Sequence, residues 1–412
     1  MRILFVAPYV PDLIRVRPYN FVRELARRHE VAVLAAQTGA KAGAVGDLRS
    51  FCRRVEVVPI DLSDSLRSCA KAFLQGEPLQ AAFCRSWELE RRLAALLAEE
   101  VFDVVHVEHL RAAHARASIP GSLPTVFDAV DCISLLLERT LCASHSLRQR
   151  AIAALELRRT RTFEARLLRS YDLTVVTSPE DGRALEALAP DRAVAVVPNG
   201  VDLEYFRPVP GPRDPATLVL SGKMSYHANV TAVFDFYRRV WPLVRERHPG
   251  ARLLIAGSGP PAAVRALGRD RAVTITGHLP DIRQALARAT VAICPVKVKV
   301  GIQNKVLEAM AMGLPVVCTA EGAQGLAAQH EQDFLVARGP QEFAAHVCRL
   351  LADAELRERL GVAGRRYVER HHRWDVAVQS LEAVYAEAID RHAPGHDAPV
   401  PHARRRPGVR PA

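Results

Sequence analysis

Residues 291–317 read VAICPVKVKVGIQNKVLEAMAMGLPVV. The apolar run 291–294 predicts a strand, the loop after it carries Gly301, a helix begins near Lys305, and 315–318 predicts the next strand. A strand that leads through such a loop into a helix and a second strand is a unit of a parallel sheet. Free N–H groups and the positive dipole at a helix start attract anions, phosphate above all, so this stretch also predicts an anion site.

Strands and helices alternate along the rest of the chain. The predicted strands are 3–7, 31–35, 55–60, 104–107, 125–127 and 173–177 in the first half, and 217–220, 252–256, 273–276, 291–294 and 315–318 in the second. A proline-rich segment, 207–215, separates the two series as a linker. This pattern predicts the α/β class with two doubly wound, Rossmann-like domains that face a central cleft, where ligands bind at the carboxyl ends of the strands.

The domain boundaries follow from the linker and from composition. We assign residues 1–205 to an N-terminal domain and 206–373 to a C-terminal domain. A C-terminal helix at 374–391 can cross back to the first domain. Residues 392–412 contain three consecutive arginines among proline, glycine and histidine, and this composition predicts a disordered basic tail.

Composition excludes several classes of protein. Hydrophobic residues make up 49% and charged residues 25%, as in globular proteins, and no apolar run approaches the ~18 residues of a membrane span. The opening run 1–6 is short, two prolines follow it, and no small-residue cleavage site appears, so it predicts a buried strand rather than a signal peptide. We therefore expect a cytoplasmic protein.

Cysteine spacing and net charge indicate which metal ions, nucleic acids or lipids the chain could bind. The eight cysteines form no CxxC pair and no metal-ligand spacing, so we expect core thiols in a reducing compartment and no bound metal. The net charge is +11. Because much of it lies in the tail, a solvated terminus is favoured over a nucleic-acid or lipid-binding arm, and no nucleic-acid partner is expected.

Several segments resemble one enzyme family. Glu-Ala-Met-Ala at 308–311 followed by Gly-Leu-Pro-Val-Val at 313–317 resembles the signature of retaining GT-B glycosyltransferases of the group 1, or family 4, type. The segments 198–202, 221–223, 255–260 and 276–279 agree with it in order and spacing. The resemblance is nearest to bacterial enzymes that build exopolysaccharide or cell-surface glycans. It implies an acceptor on the N-terminal domain and a nucleotide sugar on the C-terminal domain.

The resemblance also implies a donor site. Glu308 would bind the nucleotide ribose, the backbone near Gly301 would approach the donor sugar and phosphates, and Lys223 would stabilise the leaving diphosphate. From its position alone, Glu308 could equally offset the helix dipole. The predicted donor-binding residues are Gly222, Lys223, Gly257, Gly259, Leu279, Lys299, Gly301, Lys305, Val306, Leu307 and Glu308. No cofactor is implied, because the UDP- or GDP-linked sugar is a substrate. Members of the family usually need no bound metal ion, so the resemblance also implies a metal-independent reaction.

Three positions depart from the family pattern. Val300 stands where the family usually has a glutamate that touches donor sugar hydroxyls, and Asn229 stands where it usually has a lysine. Asp128 takes the place of a histidine near the reacting centre. Either the site has decayed and the protein only binds, or the function has moved. We favour the second alternative, with Lys299 or Lys305 contacting the diphosphate and Asp128 orienting the acceptor or sugar; the predicted catalytic residues are Asp128, Lys223 and Lys305.

Polar residues at predicted strand ends of the N-terminal half suggest an acceptor side. Arg15 and Arg17 could meet an anionic acceptor or the donor phosphates, or be surface arginines. His106 and His109 flank Glu108 at the end of a strand, where acceptor binding or loop polarity is favoured over a metal site that lacks a third ligand. The arginine-rich helical region 134–169 predicts either a packed helix or a peripheral contact with the inner face of a membrane.

These observations predict a metal-independent, retaining glycosyltransferase. It would move a sugar from a nucleoside-diphosphate sugar to a glycan or lipid-linked acceptor in exopolysaccharide or cell-surface glycan synthesis. Two alternatives stay open: a GT-B sugar-nucleotide epimerase, which the segments at 198–202 and 308–311 disfavour, and a non-catalytic sugar-nucleotide-binding protein, which Val300 suggests.

Overall fold

The computed structural model describes residues 1–13, 15–37, 43–144 and 146–393. The predicted basic tail falls outside the described residues from position 394 onward. Within the described ranges, no helix is long and apolar enough to cross a membrane.

The N-terminal domain is built on one parallel sheet of seven strands. They are β1 (Arg2–Ala7), β2 (Glu30–Gln37), β3 (Arg54–Pro59), β4 (Val104–Glu108), β5 (Thr125–Val130), β6 (Leu173–Val176) and β7 (Val194–Val196), in the spatial order β3-β2-β1-β4-β5-β6-β7. Central strands such as β1 and β4 are buried almost throughout, since helices cover both faces of the sheet. The register of β5 on β6 shifts between Asp128 and Val130, which turns the end of β5.

The C-terminal domain repeats this architecture with six parallel strands. They are β8 (Thr217–Ser221), β9 (Arg252–Ala256), β10 (Val273–Ile275), β11 (Val291–Cys294), β12 (Val316–Thr319) and β13 (Leu335–Ala337), in the spatial order β10-β9-β8-β11-β12-β13. In both sheets the strand order reverses beside the first strand of the domain, which opens a crevice at the carboxyl ends. The predicted fold class is therefore confirmed.

The helices cover these sheets. In the N-terminal domain they are α1 (Val16–Leu25), α2 (Gly43–Phe51), α3 (Leu62–Gln75), α4 (Leu79–Ala82), α5 (Trp87–Glu99), α6 (His109–Ala112), α7 (Ile133–Ala143), α8 (Leu147–Ser170) and α9 (Pro179–Leu188). Those that follow are α10 (His227–Arg239), α11 (Trp241–Arg247), α12 (Ala262–Arg265), α13 (Arg283–Arg288), α14 (Asn304–Ala311), α15 (Ala320–Ala323), α16 (Pro340–Ala352), α17 (Ala354–His371) and α18 (Trp374–Asp390). Short 3₁₀ turns lie at Ala113–Ser118 and Ala266–Arg269.

Helix α18 belongs to the core of the N-terminal domain although it follows the C-terminal domain in sequence. Its residues Trp374, Leu381 and Tyr385 are buried in one cluster with the residues of β1 and α1. The crossing point is tight, because a Cβ on Gly200 would lie 2.7 Å from the backbone nitrogen of Trp374. A helix that starts in one domain and packs in the other fixes the hinge between them.

Candidate functional site

The start of α14 brings a lysine to the glycine loop that follows β8. Lys305 Nζ donates a hydrogen bond to Asn229 Oδ1 at 2.6 Å. A Cβ on Gly222 would lie 2.9 Å from Asn229 Nδ2 and 3.1 Å from Lys305 Nζ, so both groups sit against this glycine. Lys223, the next residue, is exposed and makes no ion pair within the described ranges. The Lys305 ammonium group and a helix start therefore lie against a loop that itself carries Lys223, an arrangement suited to a polyphosphate.

Glycines shape the rest of this crevice. Gly222 and Gly257 have φ of 144° and 146°, and a Cβ on Gly257 would lie 1.9 Å from the Gly222 carbonyl oxygen. Gly259 has φ of 69° and lies against Ser225. Only glycine fits such close backbone approaches at these angles, so the loops after β8 and β9 stack directly on each other. The partly buried Leu279 belongs to the apolar cluster beneath them.

Glu308 lies one turn after Lys305 on α14 and faces a cavity between the domains. This cavity of about 540 Å³ is also lined by Asn304, Pro280 and Ile282 from the C-terminal domain and by residues of α1. Burial raises the pKa of Glu308 to about 7, against a smaller opposing effect of Lys305. A carboxyl group held here can bind hydroxyl groups of a ligand, and the contact of Glu308 with a ribose stays a prediction.

Two predicted donor-binding side chains point elsewhere. Val306 and Leu307 are buried in the core behind α14, because the helix turns its apolar face inward. Only their backbone could reach a ligand, and the Val306 N–H already bonds to the Gln303 carbonyl oxygen at 2.9 Å. A donor contact at these two positions stays a prediction, and it would have to be made by the backbone.

Lys299 is also placed differently from the prediction. It is buried, and its ammonium group donates to the carbonyl oxygens of Gly301 and, at 2.6 Å, of Gln324. Burial lowers its pKa. Its charge therefore shapes the loop from inside, and of the two candidate lysines only Lys305 faces the glycine loop.

The loop around Gly301 contacts the N-terminal domain directly. The Gly301 N–H donates to Asp181 Oδ2 at 2.9 Å, and a Cβ on Gly301 would lie only 1.9 Å from Asp131 Oδ1. Thr177 donates its hydroxyl to the same Asp131 oxygen at 3.2 Å. Burial, together with the nearby Asp181, raises the pKa of Asp131 to about 7. The cleft is closed at this point, with two carboxyl groups facing the loop.

Comparisons with known proteins agree with this geometry. Residues 15–205 match the model described as "Glycosyltransferase Family 4", and residues 215–353 match "Glycosyl transferases group 1". The chain belongs to the group 1 glycosyltransferases. The two matches divide this glycosyltransferase at the same linker that separates its sheets.

Individual relatives are more distant. A GDP-mannose-dependent α-(1-6)-phosphatidylinositol monomannoside mannosyltransferase of Mycobacterium tuberculosis is 29% identical over 51% of this chain and 60% of its own length. A D-inositol 3-phosphate glycosyltransferase of Salinispora tropica is 28% identical over 53% of this chain and 52% of its own. The match thus spans about half the length of these curated relatives.

Solved structures share the fold of this glycosyltransferase. Sucrose-phosphate synthase from Thermosynechococcus elongatus superposes with a TM-score of 0.71 at 16% identity, over 95% of this chain and 99% of its own. Anabaena HepE in complex with UDP and glucose superposes with a TM-score of 0.64 at 15% identity, over 94% and 100%. At these identities the likeness shows the GT-B architecture alone.

The predicted acceptor-side residue Arg17 and the predicted catalytic residue Asp128 form a buried pair instead. Arg17 Nε donates to Asp128 Oδ2 at 2.8 Å, and both side chains are nearly inaccessible. Arg17 also donates to the Val197 carbonyl oxygen and to Asn199 Oδ1, each at 2.9 Å. Asn199 Nδ2 in turn donates to Asn304 Oδ1 at 3.0 Å, so the pair links the N-terminal sheet to the start of α14. Their prediction as ligand-facing groups was wrong, because each charge is already paired.

The histidines and Arg15 have separate surroundings. His106 is fully buried, stacks on Phe5 at 4.2 Å and bonds through Nδ1 to the Tyr385 hydroxyl at 2.9 Å, so it anchors α18 rather than an acceptor. His109 has φ of 66°, and its Nδ1 accepts a bond from a backbone N–H in α6. Burial lowers the pKa of both histidines to about 4, so both are neutral. Arg15 stays partly exposed, with its guanidinium 4.3 Å from the Tyr9 ring centroid.

Sequence reasoning missed Asp131 and Asp181, the two carboxyl groups that face the loop around Gly301. Asp131 stands just past the carboxyl end of β5, and Asp181 lies in the first turn of α9. The sequence pattern pointed to Asp128 instead, which lies inside the strand and faces the core. The available signal was position, since residues beyond the last strand residue reach the crevice and residues within the strand do not.

Within the described residues, no group of three histidine, cysteine, aspartate or glutamate side chains could hold a metal ion.

Proposed function

We propose that this protein transfers a sugar from a nucleoside-diphosphate sugar to a glycan or lipid-linked acceptor, with retained configuration and without a metal ion, in exopolysaccharide or cell-surface glycan synthesis. The observation that carries the proposal is that Lys305, at the start of α14 and one turn before Glu308, lies against Gly222 in the loop that also carries Lys223. In this arrangement the two ammonium groups bind the diphosphate and Glu308 binds the ribose.

The chemistry follows from these placements. The bond between the anomeric carbon and the phosphate oxygen breaks, the acceptor oxygen bonds to the same carbon, and the acceptor proton passes to the departing diphosphate. Lys223 and Lys305 stabilise the negative charge that grows on that leaving group. Asp131, which lies opposite Gly301, replaces Asp128 in our proposal as the carboxyl group that orients the acceptor or sugar.

Binding and hydrolysis of a panel of nucleotide sugars test the proposal. The relatives' names make GDP-mannose and UDP-glucose the first donors to try. We expect one donor to bind and to hydrolyse slowly, and Glu308→Ala and Lys223→Ala each to weaken binding by at least about tenfold, as loss of a charge-assisted contact does. If neither the wild type nor any variant binds a donor, the proposed donor site is wrong.

An exchange of two positions isolates the role of Lys305. Lys305→Ala should lose donor affinity, and adding Asn229→Lys should restore most of it, because the two side chains meet at 2.6 Å beside Gly222. Lys297→Ala is the matched control, since Lys297 pairs with Asp235 at 2.8 Å. Equal donor affinity in Lys305→Ala and in the control would show that Lys305 does not contact the diphosphate.

A second function is favoured by one observation. Val300 is buried and apolar where family members usually offer a carboxylate to the donor sugar. A protein that binds nucleotide sugars without turning them over would show donor affinity, no hydrolysis, and no transfer to cell-envelope extracts.

A further inference from the structure

Two helices of the N-terminal domain expose a row of large apolar side chains. They are Leu62, Leu66, Phe73 and Leu74 on α3, and Leu147, Ile152 and Leu155 on α8, each between 47% and 87% exposed. Single exposed apolar residues are ordinary, but seven on two helices are a surface. We infer that these residues, the α3–α8 surface, dock the protein on an anionic lipid bilayer beside the mouth of the cleft.

The two helices form one continuous surface. The Arg159 guanidinium of α8 lies 4.4 Å from the centroid of the Phe73 ring of α3. On α8, Leu155 and Ile152 precede Arg159 by four and seven residues, which places all three on one helical face. On α3, Leu66 precedes Phe73 by seven residues and shares its face in the same way. The exposed apolar faces of α3 and α8 therefore meet at the contact between Phe73 and Arg159.

The side chains around the α3–α8 surface are mainly basic, which favours an anionic partner. Exposed basic side chains flank the apolar stripes at Arg67, Lys71, Arg148, Arg150 and Arg158. Arg148, Arg150 and Arg158 make no ion pair with any residue that the structure describes. On α3, Asp64 pairs with Arg67 at 2.9 Å, and Asp61 is the helix N-cap.

On α8 the first acidic residue, Glu156, is buried and accepts a bond from the Leu79 N–H at 2.8 Å. Apolar residues among unpaired cations match the boundary of an anionic membrane. The basic tail and a second copy of the same surface both carry positive charge, so charge repulsion disfavours them as occupants.

The surface lies on the cleft side of the domain. Helix α3 begins just after the carboxyl end of β3. The Ile133 N–H at the start of α7 donates to Glu164 Oε1 of α8 at 2.7 Å, so α8 is level with the carboxyl end of β5 near residue 164. From there to Leu147 the helix extends about 25 Å further, at ~1.5 Å per residue.

Helix α7, which pairs with α8, reaches the C-terminal domain through a bond from Arg139 Nη1 to the Lys299 carbonyl oxygen at 2.6 Å. A bilayer on the α3–α8 surface would present a lipid-linked acceptor to the cleft. The inference draws on the proposed function only for this choice of acceptor, because membrane binding itself needs no transfer activity.

Vesicle flotation of the full chain tests the docking surface. We expect the wild type to float with vesicles of phosphatidylcholine and phosphatidylglycerol and to stay unbound with phosphatidylcholine alone. The double variants Ile152→Glu/Leu155→Glu and Arg148→Glu/Arg150→Glu should each reduce the partition coefficient by at least about tenfold. The matched control is Val362→Glu/Arg366→Glu, which changes exposed residues of α17 and should float like the wild type.

Each other outcome counts against the inference. Equal flotation of the wild type and both α3–α8 variants overturns it, and so does loss of flotation on deletion of residues 394–412 alone. Absence of vesicle binding combined with concentration-dependent dimerisation that the variants abolish would assign the surface to a second copy. Circular dichroism and nucleotide-sugar binding by the same variants, both expected to be unchanged, separate this failure from failure of the fold or of the proposed function.

Discussion

At the scale of single residues, the donor crevice shows a cation supplied from an unexpected place in the sequence. The family pattern puts a lysine at the position of Asn229, near the start of α10. Here Lys305, on α14, reaches the same point, with its ammonium group 2.6 Å from Asn229 Oδ1. Electrostatic stabilisation depends on where the charge lies and not on which helix carries it, so under the proposed function Lys305 takes the role of the usual lysine.

Asp131 gives a prediction on pH at the same scale. Its folded-state pKa of about 7 exceeds the ~3.9 of an unfolded aspartate, so between these values the folded state holds the proton more tightly. The contribution of Asp131 to the free energy of unfolding therefore falls as the pH rises through this window. Asp131→Asn removes that loss, and we expect it to stabilise the protein by about 1–3 kcal/mol at pH 8 and by little at pH 4.

Urea unfolding at both pH values measures this effect, with Asp64→Asn on the exposed face of α3 as the control. If Asp131 orients the acceptor, the same variant should lose turnover while it gains stability, as substitutions at strained functional sites commonly do. If Asp131→Asn is no more stable than the wild type at pH 8, the buried Asp131 carboxylate does not lower the free energy of unfolding.

At the scale of elements, α18 ties the two domains together. It leaves the C-terminal domain at Trp374, passes Gly200 at van der Waals contact, and buries Leu381 and Tyr385 against β1 and β4. The Tyr385 hydroxyl fixes the neutral ring of His106 beneath the sheet. A return of the C-terminal helix therefore completes the N-terminal core and limits how far the hinge can open.

Leu381→Ala tests this assignment. A buried leucine cut to alanine costs ~2–5 kcal/mol, and here the loss should appear in the N-terminal sheet. Hydrogen exchange is the measurement: we expect faster exchange in β1 and β4 and little change in β8. Leu350→Ala, an equally buried leucine of α16, is the control and should give the opposite distribution. Faster exchange confined to the C-terminal domain in Leu381→Ala would contradict the crossing.

Elements were easier to predict from the sequence than side-chain directions. Apolar runs such as 291–294 and 315–318 predicted eleven of the thirteen strands that the structure describes, because buried parallel strands are largely apolar. The three-residue edge strands β7 and β13 were missed, because their apolar runs are too short to stand out. The helical region 134–169 was predicted as one piece, yet Ser144 and Ser146 separate α7 from α8, and Ser146 caps the second helix. At the site, Lys305 lies beside the glycine loop and Glu308 lines the cavity between the domains, while Lys299 and Asp128 are buried. The sequence could not show this difference, because the choice between core and crevice depends on contacts from distant segments.

At the scale of the whole molecule, the two domains meet through atoms that leave no space for a side chain. Gly301 and Gly325, with φ of 64° and 83°, lie against the ends of β5 and β6. A Cβ on Gly325 would be 3.0 Å from the Ser178 Cβ. Together with the bond from the Gly301 N–H to Asp181, these contacts define a closed cleft, and such closure excludes water around a reacting sugar.

Gly301→Ala should therefore hold the cleft open. Its Cβ would lie 1.9 Å from Asp131 Oδ1 and 2.9 Å from both Asp131 Cγ and Thr177 Oγ1, an overlap that these side chains, the loop or the domains must move to relieve. We expect a larger radius of gyration by small-angle X-ray scattering and at least a tenfold loss of turnover, with the fold retained.

Gly76→Ala is the matched control, because Gly76 has a similar φ of 70° but nothing within 4 Å of the added Cβ. The control therefore carries the same backbone strain without the clash. A double variant Gly301→Ala/Asp131→Gly should close again if the overlap with Asp131 is the cause. An unchanged radius of gyration in Gly301→Ala, beside unchanged turnover, would show that contact at Gly301 does not limit closure.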